Sequence, residues 1–219
     1  KSLENDFTVA EKDLDFTNLK HVAFIAKQAI DFEKLDMAGK REKTIFREKE
    51  SLAPYNGWVK GVEEGKVRAL VKVADGKVDG PFVEWHKTDD GIGSLSKHYN
   101  GSKNLRHGLC RKWDESGQLS FEINYADGLF HGTNKEFYDD GNLTLEFVSN
   151  YEKGKLMQSV VYLPNGEKST KYGVIDGDGE HPNKLYRRGY VVSGFKNPDG
   201  EWSMPGIKFT SPQNPKSVF

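Results

Sequence analysis

The chain has 219 residues, enough for one large domain or two small ones, and is 36% hydrophobic, 30% charged and 12% aromatic. Its 32 basic and 33 acidic side chains leave a net charge of −1 and are spread along the sequence, which excludes a basic field for nucleic acid or an anionic membrane surface. The one cysteine, Cys110, excludes an intrachain disulfide. No apolar run approaches the roughly 18 residues of a membrane-spanning helix. The 23 glycines and the aromatic content suit many short strands joined by tight turns. The chain begins at Lys1 rather than Met, as it would after removal of a leader.

Residues 1–16 are polar and unpatterned and read as a loose arm. Thr17 or Asn18 is placed to cap a helix over about Leu19 to Phe32, because Leu19, Val22, Ala23, Ala26, Ala29 and Ile30 recur at three- and four-residue spacing. Phe24 and Ile25 interrupt that stripe, which leaves a strand as the alternative. The helix is expected to cover one end or face of a sheet. From Leu35 the pattern becomes short strands and polar turns, around Leu35–Ala38, Lys43–Phe46 and Ala53–Trp58. A longer strand follows, in which Val67, Ala69, Val71 and Val73 alternate with Lys66, Arg68, Leu70 and Lys72, predicting one apolar face.

Between Tyr99 and Gly141 the chain says nearly the same thing twice. Aligned on His107-Gly108 and His131-Gly132, the copies place Trp113 and Phe137 at one position and Gly117 and Gly141 at another, a period of 24 residues. Each unit reads as a β-hairpin. A turn such as Asp75-Gly76, Asp127-Gly128 or Lys153-Gly154 opens it, and an outgoing strand carries Trp85, Trp113, Phe137 or Tyr162. A second glycine turn and an alternating return strand follow. Asp-Gly and Asn-Gly suit turns whose central residues need positive φ. The spacing is uneven: Gly76 to Gly80 and Gly128 to Gly132 are four residues apart, whereas Gly101 to Gly108 spans seven. Trp113 and Phe137 are expected to be neighbours in an aromatic ladder, with Gly117 and Gly141 at positive φ.

The repeat decays after about Tyr172. Asp176-Gly-Asp-Gly-Glu180 reads as a tight acidic loop outside it, and five of the eight prolines lie in the C-terminal stretch. Three segments result: residues 1–34 as arm and capping helix, 35–175 as hairpin repeats, and 176–219 as a degenerate repeat with a C-terminal cap and tail. The predicted fold is mainly β, an elongated antiparallel meander of repeated hairpins in a single twisted sheet, with an N-terminal helix and a C-terminal cap.

These units resemble the MORN-repeat variant of bacterial proteins, whose hairpins read roughly Tyr-x-x-Gly-Lys-x-x-Gly-x-x-x-x-Trp/Tyr-x-x-x-Gly. The pattern sits in Val73–Gly91, Tyr99–Gly117, Tyr125–Gly141 and, less fully, Tyr151–Gly166. Ala29–Leu35 and Pro54–Trp58 are similar to the lead-in segments of those proteins, so the resemblance covers about residues 29–172. It implies an all-β repeat architecture, commonly exported or associated with a bacterial cell envelope, and a scaffold or membrane-proximal role. Many such proteins carry an antitoxin label. The resemblance implies no enzyme activity here, since no appended catalytic domain is visible.

The residues that could carry chemistry have simpler structural readings. Metal ligation by His107 and His131 is disfavoured, because equivalent positions in successive hairpins lie about 9.5 Å apart, twice the strand spacing. Cys110 reads as a small apolar filler. The pairs Asp89-Asp90, Asp114-Glu115 and Asp139-Asp140 read as turn formers. Asp176, Asp178 and Glu180 are the candidate metal ligands, as acidic residues alternating with glycine let oxygens converge on a calcium ion. Trp58, Trp85, Trp113 and Phe137 are the candidate binding residues, as an aromatic strip on a sheet face. No catalytic residue and no cofactor is assigned.

The function expected is a non-enzymatic interaction or scaffold module that binds a protein partner through an exposed sheet face or edge. The alternative is a carbohydrate- or lipid-binding module of the cell envelope that uses the aromatic strip. The physical ground is that a single-layer sheet has two faces and cannot bury both without a partner or a cap.

Overall fold

Asn18 sits in extended conformation and its Oδ1 accepts the Lys20 N–H at 3.0 Å, which starts helix α1, Leu19–Gln28. The helix ends earlier than its apolar spacing predicts. Ala29 is already extended, and the chain continues as β1, Ile30–Asp31, which pairs in parallel with Val59 and Lys60 of β4, Gly57–Glu63. Ile30 belongs to that pairing and not to the helical stripe. The arm before the helix is not loose from end to end. Phe16 is buried against Trp58 and His98, and Glu11 forms an ion pair with Lys72. The computed structural model describes residues 8–88, 92–138 and 145–175, with the backbone of short strands at 178–181, 184–187, 190–192, 195–196 and 202–203.

The chain divides into two compact units, residues 1–104 with 115–117, and residues 105–114 with 118–219. The division falls inside the span that the sequence assigns to repeats. Both units are antiparallel meanders of hairpins, so the fold is mainly β with a helix near the N-terminus.

In the first unit β4 is followed by β5, Lys66–Ala74, β6, Lys77–Lys87, and β7, Ile92–Ser102, each paired with the one before. Both faces of this sheet are covered. On one side α1 and the arm set Phe16, Val22, Ile25 and Ala29 against Trp58, Leu70, Val83 and Trp85. On the other a separate hairpin, β2 (Leu35–Ala38) with β3 (Ile45–Glu48), sets Leu35 and Phe46 against Val59, Val71, Val73 and Val78. The expectation of one apolar face on β5 is therefore corrected. Leu70 is fully buried on the second face, and Arg68 beside it donates to the carbonyls of His86 and Thr88.

The turns that open the hairpins share one geometry. Asp75-Gly76, Lys103-Asn104, Asp127-Gly128 and Lys153-Gly154 each have positive φ at both residues, from +47° to +81°. That is the signature of the two-residue turn whose twist matches the flanking strands. The second residue of each also donates its N–H to a carbonyl one hairpin back, at 2.8–2.9 Å: Gly76 to Tyr55, Asn104 to Val78, Gly128 to Arg106, and Gly154 to Phe130. The seven-residue irregularity after Gly101 thus disappears. The turn is at Asn104, four residues before Gly108, and asparagine tolerates the left-handed conformation.

Asn104 does more than turn the chain. Its Oδ1 accepts the Val78 N–H at 2.7 Å, and its Nδ2 donates to the Thr44 carbonyl at 2.6 Å and the Glu42 carbonyl at 3.1 Å. The buried amide therefore fastens the β2–β3 connection onto the sheet, which glycine at this position could not do.

The second unit runs through β8 (Leu105–Trp113), β9 (Leu119–Ala126), β10 (Leu129–Phe130), β11 (Gly132–Phe137), β12 (Leu145–Glu152), β13 (Lys155–Tyr162) and β14 (Lys168–Ile175). Each of β9, β11, β12, β13 and β14 pairs with the next strand of this meander, and β10 extends the β9 hairpin. The meander goes on through β15 (Asp178–His181), β16 (Lys184–Arg187) and β17 (Tyr190–Val192), so the expected acidic loop at 176–180 is in part a paired strand. The register puts Cys110, Tyr125, Asn134, Phe147, Ser149, Ser159 and Val161 on one face, and all of them are buried. Gly117 has φ +86° as expected, whereas Gly141 lies outside the described residues.

Two substitutions test this arrangement by urea denaturation. Leu70→Ala should cost about 2–5 kcal/mol, as for a fully buried leucine, and an unchanged midpoint would contradict a covered second face. Asn104→Gly keeps a residue suited to positive φ but removes three side-chain hydrogen bonds, and should cost about 1–3 kcal/mol. A neutral result would mean that the amide does not fasten the hairpin.

Candidate interaction surface

In three hairpins the return strand carries one extra residue opposite the step to the repeat aromatic. The register shifts between Glu84 and Trp85, between Lys112 and Trp113, and between Glu136 and Phe137, after which the aromatics stand opposite Leu95, Leu119 and Leu145. This bulge bends the return strand at a fixed place opposite the ring. Local geometry therefore confirms that Trp85, Trp113 and Phe137 are equivalent positions.

Their surroundings differ. Trp85 is 4% exposed and Trp58 8%, both beneath α1, so these two rings belong to the core and not to an open aromatic strip. That corrects the expectation for half of the candidate strip. Trp113 and Phe137 in the second unit are half-buried. They share a face, on strands that flank β9. The aromatic ladder itself lies on the opposite, buried face, where Tyr125, Phe130 and Tyr151 follow one another at centroid separations of 5.3 and 5.0 Å. Arg106 Nη1 donates to the Tyr125 hydroxyl at 3.1 Å. Burial pushes that hydroxyl above its ordinary pKa, and the Arg106 charge opposes the shift.

The face that carries Trp113 and Phe137 also carries a row of residues set by the register: Arg111, Glu122, Lys135, Val148 and Val160. Arg111 Nε donates to Glu122 at 3.0 Å, and Lys135 Nζ donates to its other oxygen at 3.4 Å. Burial would raise the Glu122 carboxyl, but the hydrogen bonds and charges of Arg111 and Lys135 outweigh it and hold the group below the usual carboxylate range. The carboxylate lies deeper than its partners: its side chain is 19% exposed, against 46% for Arg111 and 42% for Lys135. The outward charge of this row is therefore positive. Sequence reasoning missed the row, although a signal was present, since Arg111 and Lys135 each stand two residues before the repeat aromatic.

The remaining candidates have local partners. His107 Nδ1 lies 3.8 Å from the Asp127 carboxylate, and His131 Nδ1 accepts the Lys153 N–H at 3.5 Å, so each histidine sits against the next opening turn. Asp114 Oδ1 accepts the Gln118 N–H at 2.9 Å and shapes its turn. Cys110 is buried. Of the candidate calcium ligands, Asp176 lies outside the described residues, and only the backbone of Asp178 and Glu180 is described, within β15. No helix among the described residues is long and apolar enough to cross a membrane.

No curated protein matches the chain. Among solved structures, one described as "Crystal Structure of TarM" is similar over 75% of this chain, at 11% identity and a TM-score of 0.21. This chain spans about a quarter of its length (24%), and a likeness of that degree carries no argument. The family model described as a MORN repeat variant matches residues 106–127 and 130–147. Those residues include most of β8, all of β9 and β11 and the start of β12, within which much of the sequence repeat lies. The chain carries MORN repeats of the variant kind at residues 106–147.

Proposed function

We propose that the chain is a non-enzymatic interaction module that binds a protein partner through the outer face of its second unit. One contrast carries this reading. In the first unit both sheet faces are covered, by α1 and by the β2–β3 hairpin. In the second unit the face that bears Trp113, Phe137, Val148 and Val160 leaves these apolar side chains half-exposed, and is crossed by the Arg111–Glu122–Lys135 row. Aromatic and arginine side chains of this kind are the usual anchors of protein contacts.

A face is favoured over an edge because β1 already occupies part of the outer edge of β4, which opposes strand addition there. The glycan-binding alternative loses two of its four rings, Trp58 and Trp85, to the core. A place in a bacterial cell envelope belongs to the same reading and rests on the resemblance of the repeats.

Photo-crosslinking tests the surface. A photoreactive residue at Gln158, exposed on this face, should form a protein adduct in the native source that the same residue at the exposed Glu50 of the first unit does not. Equal labelling from both positions would contradict the assignment. Trp113→Ala should abolish the Gln158 adduct while costing less than the roughly 3–5 kcal/mol of a fully buried aromatic, because its ring is half-buried. An adduct that survives the substitution would place the contact elsewhere.

A further inference from the structure

The first unit shows what this kind of face accepts. At its repeat aromatic, Trp85, the sheet is covered by an amphipathic helix of ten residues, which sets Val22 and Ile25 on Leu70, Val83, Trp58 and Trp85. The sheet also holds the end of that helix: Lys60 Nζ donates to the Ala26 carbonyl, in the last turn, at 3.0 Å. A cation at a helix C-terminus meets both free carbonyls and the negative end of the helix dipole. The second unit repeats the same bulge and the same aromatic position at Trp113 and Phe137, with those rings half-exposed. Its central row differs in presenting cations, Arg111 and Lys135, more exposed than the Glu122 between them.

Resting on the function proposed above, we propose that the outer face of the second unit receives an amphipathic helix of a partner protein, with acidic side chains beside its apolar stripe. Side chains seven apart on a helix lie about 10.5 Å from one another, close to the roughly 9.5 Å across β9 from Trp113 to Phe137, and those three or four apart lie about 5–6 Å, close to the single strand steps from Phe137 to Val148 and Val160, so one stripe can cross the sheet. Acidic side chains, or the helix C-terminus, then meet Arg111 and Lys135. A second copy of this face is a poorer occupant, because it would bring the same outward cations.

The probe is a synthetic 18-residue amphipathic peptide with a leucine and isoleucine stripe flanked by glutamates, compared with the same stripe flanked by lysines. Against the full chain, the glutamate peptide should bind and gain helicity, read by anisotropy and circular dichroism, and the lysine peptide should bind at least tenfold more weakly. Lys135→Gln should weaken the glutamate peptide several-fold and Lys135→Glu at least tenfold; the neutral variant keeps the test valid if the charge reversal disturbs folding. Equal binding of both peptides, or binding indifferent to Lys135, overturns the proposal. If neither peptide binds while Gln158 still crosslinks to a protein, the helix is wrong and the interaction module stands. If Gln158 also captures nothing, the module reading fails with it.

Discussion

A β-sheet has two faces, and each must meet water or another layer; the two units meet this constraint differently. The first unit carries apolar side chains on both faces, and the chain supplies a layer for each. Val22 and Ile25 come from the helix, and Leu35 and Phe46 from the hairpin. Neither layer has a core of its own, and each is held to the sheet by polar contacts as well: Lys60 on the helix end, Asn104 on the hairpin connection. The second unit buries one face and gives the other a mixed surface, in which half-exposed rings lie beside a row of paired charges. Solvent tolerates such a face, and a partner with matching charge gains by covering it.

The repeat is a backbone device before it is a side-chain one. Paired positive-φ residues turn the chain, the second N–H of each turn reaches one hairpin back, and a bulge opposite each aromatic fixes where the return strand bends. Side chains vary on this frame with little cost. Asparagine replaces glycine at residue 104 and gains three hydrogen bonds, and phenylalanine replaces tryptophan at residue 137. A fixed frame with variable faces is suited to binding, since it lets the exposed face change while the turns stay.

Hairpins, turns and the repeat period were legible because they depend on local signals, Asp-Gly pairs and two-residue alternation. The helix was legible in place but not in length, since Ile30 carries the helical spacing and yet pairs with Val59. What covers each face was not legible. Leu70 reads as part of the polar side of β5, and only the arrival of α1, far back in sequence, buries it. For the same reason Trp85 and Trp113 look alike in sequence and differ in exposure. The Arg111–Glu122–Lys135 row depends on strand register, which bulges shift and composition does not encode.

Hydroxyl-radical footprinting of the intact chain, read residue by residue by mass spectrometry, tests the central claim most directly, because it reports solvent access to aromatic rings on both units in one experiment. The account predicts oxidation at Trp113 and Phe137 and protection at Trp58 and Trp85. Equal protection of all four rings would show that the outer face of the second unit is already covered, and would contradict the account.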